Sequence, residues 1–424
     1  MKRNLIVLAS LILIATVVLS ACGPAATTAP AATNAPAATA VPPTAVPPTA
    51  VPATAVRPTA GKALLRSLAG GLLTAVPIVI IGLLILEFAP AYLVRITFAA
   101  YVNLLIVLGL QIFMGNSMVA NLGQGAFVGI GAYTVAILAT PIAMKKMSIP
   151  NAPFGLSHVA IDPLLAAGAG LGIAGIVAFL TGIVVARVSG EAATILTFSL
   201  LMIVHSVFIH WTDLFKGAQA FFGIPQVVNL QIAVALSVLG IVLARLFKDS
   251  RVGLQLRASA ESLLAARAFG VDVVRLRLIA WVVGAMFCAT GGVLYAYFMG
   301  TINARAFHFE LVLTTLAMLI LGGLRTVSGA VFGCVLLSTV LEVIRTLENG
   351  VTIGNWQTPP LLGLSGLAMG GVIVFSMIFR PKGMISRLEF DELLRQWFGR
   401  RTSVEAASGS QGDAGDKNDA SKAR

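Results

Sequence analysis

The chain has 424 residues, 58% of them hydrophobic and 11% charged, with a mean hydropathy of +0.93. Charged residues alone approach about a quarter of a soluble globular protein, so this composition excludes a soluble fold and defines an integral membrane protein. The net charge of +12 lies in short basic stretches between apolar runs, which is the pattern of lysines and arginines held on a cytoplasmic face and not of a nucleic-acid partner.

Residues 1–22 have a basic start (Lys2, Arg3), an apolar run over 5–19 and small residues before Cys22, the grammar of an export signal. "LSAC" followed by Gly23 resembles a bacterial lipobox, which makes Cys22 a candidate lipidation site; an uncleaved signal anchor or a start site further downstream are the alternatives. Residues 23–61 are almost entirely Ala, Pro, Thr and Val, with the near-repeat "AVPPTAVPPTAVPATAVRPTA". Proline removes backbone donors and fixes φ, so a disordered tether without a core is expected there.

Ten apolar segments come next, at roughly 72–94, 97–114, 119–140, 164–186, 192–211, 228–247, 278–299, 309–323, 329–347 and 361–379. A span needs about 20 apolar residues, and backbone groups in lipid must be satisfied within the segment. The expected fold is therefore all-α, with about ten transmembrane helices in one bundle over 62–388, the third and eighth being the weakest, and a polar tail at 389–424, disordered at its end.

The loop at 245–277 carries Arg245, Lys248, Arg251, Arg257, Arg267, Arg275 and Arg277, and the tail after Phe379 is also basic. Both are expected on the cytoplasmic side, which puts 141–163, 212–227, 300–308 and 348–360 outside. Ten crossings then place Lys62 and Arg66 inside, in conflict with an exported Cys22. A weak segment such as 309–323 that re-enters instead of crossing, a leader that is never exported, or a downstream start would each resolve the conflict.

"NLGQGAFVGIGAY" at 121–133 sets four glycines and the polar Asn121 and Gln124 in an apolar region. Glycines there permit either close helix packing or a broken helix that offers backbone groups to a solute at membrane depth. With Gly125, Phe127, Gly131, Thr194 and Thr197 these are the candidate pathway residues, because polar groups in lipid are costly; for Thr194, Thr197, His205, Asn103 and Gln111 bonding between helices is the plainer role. "GAGLGIAG" at 168–175 reads as close helix packing. In the basic loop, residues 260–269 predict a short amphipathic helix closed by Gly270.

Cys22, Cys288 and Cys334 form no disulfide framework or metal spacing, and His205 and His210 have no accompanying carboxylate or cysteine, so neither metal nor other cofactor is expected. The chain has no G-x-x-x-x-G-K-[ST] phosphate loop and no nucleophile-base set, so it is not expected to be an enzyme.

Taken together, "LGQGAFVGIGAYTVAIL", "GLQLRASAESLLAARAFGVDVVRLRLIAWVVGAMFCATGGVLYAYF", "LGGLRTVSGAVFGCVLL" and "FRPKGMI" resemble the permease subunit of branched-chain amino acid ABC importers, the second of its two paired permeases, over about 72–388. The resemblance implies a multi-pass protein of the bacterial inner membrane. It also implies as partners separate ABC ATPase subunits, a paired homologous permease, a periplasmic or lipid-anchored solute-binding protein and an amino acid substrate, in a setting of membrane lipid. The family's ATPase-coupling loop falls on Glu261, Ala265, Ala266, Arg267 and Gly270, with Glu261 four residues before the alanine pair instead of beside it. Lys216-Gly217-Ala218 stands where the family has a Thr-Gly-Gly-like turn, which leaves the solute open. A permease for urea, short amides or simple sugars is the alternative within the class. An ATP-independent transporter would need ionisable residues within the spans, and Glu87, Glu310 and Glu342 form no relay; a lipid-anchored binding protein would need a sizeable soluble domain.

Overall fold

The computed structural model describes residues 60–88, 90–150, 152–348, 352–353, 356–357, 363–379, 383–385 and 389. The leader with Cys22, the tether up to residue 59 and the tail apart from Glu389 lie outside the described residues. Each of the ten predicted apolar segments is helical over most of its described residues, the third only from Gln124, and the fold is an all-α membrane fold. Among the described residues eight helices are long and apolar enough to cross a membrane, or nine if a sharply bent pair counts as one span.

In chain order the first helices are α1 (Ala60–Phe88) and α2 (Ala91–Leu110), the latter continuing as a π-helical turn, Gln111–Gly115. After an irregular stretch over 118–123 come α3 (Gln124–Ala139) and the short α4 (Ile142–Ser148). Pro141 lacks the N–H that would continue α3, and α4 leaves it at a bend of 119°. Next are α5 (Pro163–Val185), started by an Asp162 side chain that accepts from Leu164 N at 2.9 Å, and α6 (Glu191–His210). A single turn, α7 (Thr212–Phe215), precedes α8 (Leu230–Asp249). Two short helices come after it, α9 (Arg251–Glu261) and α10 (Leu263–Ala268), then the long α11 (Val273–Met299). The last three are α12 (Phe309–Gly322), α13 (Val327–Glu348) and α14 (Leu364–Phe379).

At the centre stand α2, α3 and α11. Phe98 stacks on Phe298 with ring centroids 3.6 Å apart, and Phe113 and Phe127 meet Trp281 edge-on at 5.1 and 5.5 Å. A Cβ on Gly131 would lie 2.4 Å from the Ala289 carbonyl oxygen, and one on Gly292 2.0 Å from that of Val128. Those glycines let the backbones of α3 and α11 cross in contact, the usual way to gain packing energy where lipid is as apolar as leucine. By contrast α5 and α6 expose Leu164, Ile176, Phe179 and Ile195.

One end of the bundle gathers the basic turns. Arg277 donates to the Val188 carbonyl and to Ser189 Oγ, so the 186–190 turn lies beside the start of α11. At the opposite end Tyr297 donates to the Pro163 carbonyl, and two-residue strands, β1 (Phe221–Phe222) and β2 (Thr301–Ile302), pair antiparallel with Phe221 opposite Ile302. There the buried Lys145 donates to the carbonyls of Leu138, Leu156 and Val159, and Leu138 lies in the last turn of α3, where a cation complements the helix dipole.

Candidate functional site

Two places draw the predicted site residues together: the break before α3 and the segment between α8 and α11.

At the break, α2 ends because its own side chains take over its last carbonyls. Asn116 Nδ2 donates to the Ile112 carbonyl at 2.9 Å and Ser117 Oγ to that of Phe113 at 2.7 Å. Met118 then takes a left-handed conformation with φ +54°, which a non-glycine residue adopts only when its surroundings enforce it. Asn121 Oδ1 accepts Gly123 N at 2.8 Å. The Leu122 N–H donates to Thr197 Oγ1 at 3.1 Å, and Thr197 Oγ1 in turn donates to the Thr194 carbonyl at 3.0 Å. Asn121, Thr194 and Thr197 are thus brought to one junction between the break and α6.

Gln124, fully buried at the start of α3, reaches towards α12. Its Nε2 donates to the Val312 carbonyl and to Thr315 Oγ1, each at 3.4 Å. Gln124 Oε1, Asn116 Oδ1 and both amide atoms of Gln111 are buried without a hydrogen-bond partner among the described residues. No side chain caps the N-terminus of α3, so its partial positive charge points into the break.

Gly125 and Phe127 do different work. A Cβ on Gly125 would lie 3.0 Å from Leu201, the Phe307 carbonyl oxygen and Val312, so this glycine seats α3 against α6 and α12. Phe127 faces Trp281 in the core and Gly131 packs on α11. Of the glycine-rich stretch, Asn121 lies within the break and Gln124 at its end, while Gly125, Gly131 and Phe127 are held in helix packing. His205 lies 4.2 Å ring to ring from His308 on the α12 side, not beside His210.

In the second place the predicted single helix over 260–269 is corrected: it is interrupted at Ser262. That residue is extended (φ −149°, ψ 107°), and its hydroxyl accepts Ala265 N at 3.3 Å, so a fresh N-cap starts α10. Gly270 closes α10 as expected. Its φ of +76° is one that L side chains rarely adopt, Gly270 N donates to the Arg267 carbonyl at 2.9 Å and Val271 N to that of Ala266 at 3.1 Å, the paired bonds of a Schellman closure.

Ala266 is buried against the bundle while Ala265, Arg267 and Gly270 are exposed. Between them Leu264 and Phe269 project with 83% and 88% of their surface exposed. Glu261 pairs with Arg325 in the turn between α12 and α13, Oε1 to Nη1 at 2.6 Å. Leu264, Phe269, Arg325, Asn116 and Thr315 were not singled out by the sequence. Exposed apolar residues flanking the alanine pair would have been the signal for Leu264 and Phe269.

Beside this segment lies a buried carboxylate. Glu389 accepts from Arg245 Nη1 at 2.8 Å, from Lys248 Nζ, from Val327 N and Ser328 N at 3.0 Å each, and from Ser328 Oγ at 2.7 Å. Burial alone would raise its pKa, but the Lys248 ammonium, the Arg245 guanidinium and the hydrogen bonds from Lys248 and Ser328 outweigh it and hold the carboxyl at about 2.

A bundle of apolar helices, two of them flanking an interior break, with a capped basic segment at one end, is the architecture of a multi-pass membrane protein. Residues 92–379 match the branched-chain amino acid transport system / permease component family; this is more than half of the chain, and the chain belongs to that family. It is 26% identical over 318 residues to the high-affinity branched-chain amino acid transport system permease protein LivM of Salmonella typhimurium, covering 67% of this chain and 68% of that one. With LivM of Escherichia coli K12 the identity is 25% over 348 residues, 72% of this chain and 74% of the relative. The probable branched-chain amino acid transport permease protein LivH of Methanocaldococcus jannaschii is 26% identical over 242 residues, 55% of this chain and 74% of its own. No solved structure matches the chain. The chain is a permease subunit and a multi-pass membrane protein.

Proposed function

We propose that the chain lines part of the translocation pathway for branched-chain amino acids in an ATP-driven importer, and that α9 and α10 seat it on a separate ATPase. The solute is taken from the relatives' names. The observation that carries the coupling role is the exposed pair Leu264 and Phe269 on a helix capped at both ends, by Ser262 and by Gly270. Exposed apolar side chains on a rigid short helix suit a groove in a partner protein, and closing of that partner would be passed to the bundle as a rigid-body movement.

In this reading the basic end of the bundle is cytoplasmic. The break before α3 is the pathway candidate: an uncapped helix N-terminus attracts a carboxylate, and the amides of Gln111, Asn116 and Gln124 supply donors and acceptors. Asn121, Thr194 and Thr197 hold the break in shape. An ATPase pair, a second permease and an external solute-binding protein complete the importer.

The test replaces the exposed Ala265 and Arg267 together by glutamate in the assembled complex, leaving the buried Ala266 and the closing Gly270 in place. Loss of ATP-driven leucine uptake from a folded permease is expected; undiminished uptake would overturn the coupling role.

A further inference from the structure

Glu389 is the first residue of the polar tail, yet it is buried and its carboxylate receives donors from two helices far away in sequence. Arg245 and Lys248 reach it from the last turns of α8, and Val327 N, Ser328 N and Ser328 Oγ from the first turn of α13. The residues just before it are tied to the same place. Met384 N donates to the Leu321 carbonyl at 3.0 Å, Ile385 N to that of Gly322 at 2.9 Å, and Thr326 Oγ1 to the Ile385 carbonyl at 2.6 Å.

Those contacts close a ring around α9. From Glu389 the ring passes to α8, whose end at Ser250 caps α9 by accepting Gly253 N at 3.2 Å, and Arg257 Nη2 on α9 donates to the Lys248 carbonyl at 3.0 Å. At its far end α9 presents Glu261 to Arg325, and Arg325 belongs to the turn that Thr326 and Ile385 pin to the tail. Both ends of α9 are therefore referred to a single carboxylate. A glutamine there would accept on one oxygen only and would leave the buried Arg245 and Lys248 without that counter-charge.

We infer that Glu389 is a positioning residue for the ATPase-facing segment, fixing α9 and α10 against α8 and α13 so that movement of the ATPase is passed to the bundle. This rests on the reading of α9 and α10 as the ATPase contact.

The test compares Glu389→Gln and Glu389→Asp with the unaltered chain in the reconstituted complex, reading leucine moved per ATP hydrolysed. Coupling between sites commonly amounts to about 5–150-fold, and a fall of about fivefold is expected for Glu389→Gln with the ATPase still bound, while Glu389→Asp, which keeps the carboxylate, recovers more than half. An unchanged ratio would overturn the inference, and so would a loss of assembled complex in both variants with the ratio preserved, which is what a purely stabilising role gives. Amide exchange over 251–268 in the purified full chain reads the same strut without a solute: at least about tenfold faster exchange is expected in Glu389→Gln, and equal exchange would overturn it. If the unaltered complex takes up no leucine, the solute reading falls while the exchange result still decides the role of Glu389.

Discussion

Thr197 and Leu122, 75 residues apart, are joined by one hydrogen bond of 3.1 Å from the Leu122 N–H to the threonine hydroxyl. That bond satisfies a backbone donor freed where the helix breaks, and it ties the break to α6. In lipid such a donor has no water to turn to, and the bond between separate elements is the kind expected of Thr197 from its place in an apolar segment.

Replacing Thr197 by valine keeps the shape and removes the acceptor. A buried N–H left without a partner costs about 1–3 kcal/mol, so Thr197→Val is expected to lower the melting temperature of the purified permease and to reduce uptake, whereas Thr197→Ser stays close to the unaltered protein. Equal behaviour of the valine and serine variants would show that the bond is not needed.

Leu264→Asp with Phe269→Asp addresses the projecting segment. Both side chains are exposed, so the folded bundle should be unaffected, with a change in stability within about 0.5 kcal/mol. Co-purification of the ATPase is expected to fall at least tenfold. Full retention of the ATPase by the doubly substituted chain would remove these residues from the contact.

The Glu389 carboxyl, lowered from 4.5 to about 2 in the folded protein, sets a pH window. A depressed folded pKa contributes stability that is fully present above 4.5 and is lost as the pH falls towards 2. The shift corresponds to about 3 kcal/mol. Thermal unfolding between pH 5 and pH 3 should therefore fall more steeply for the unaltered chain than for Glu389→Gln; parallel curves would contradict the assignment.

Much of the architecture was legible in the sequence because apolar run length and the demand for internal hydrogen bonds decide where spans lie. Gly270 was legible too, since only a residue tolerant of positive φ closes a helix as it does. The interruption at Ser262 was not. "SAESLLAARA" reads as continuous helix, and serine is nearly neutral inside one; here its side chain caps the start of α10 instead. Glu389 was equally hidden, because one acid beside Asp391 and Glu392 in a charged tail looks solvated until Arg245, Lys248 and the start of α13 are placed around it. At the glycine-rich stretch, Gly125 and Gly131 pack helices, while Asn121 lies within the break and Gln124 begins the helix after it.

The most direct measurement is uptake of labelled leucine by proteoliposomes holding this chain with the second permease, ATPase subunits and solute-binding protein proposed for it, with and without ATP. Accumulation that requires ATP and all of those subunits is predicted. Leucine flux through the purified chain alone, without ATP, would contradict it.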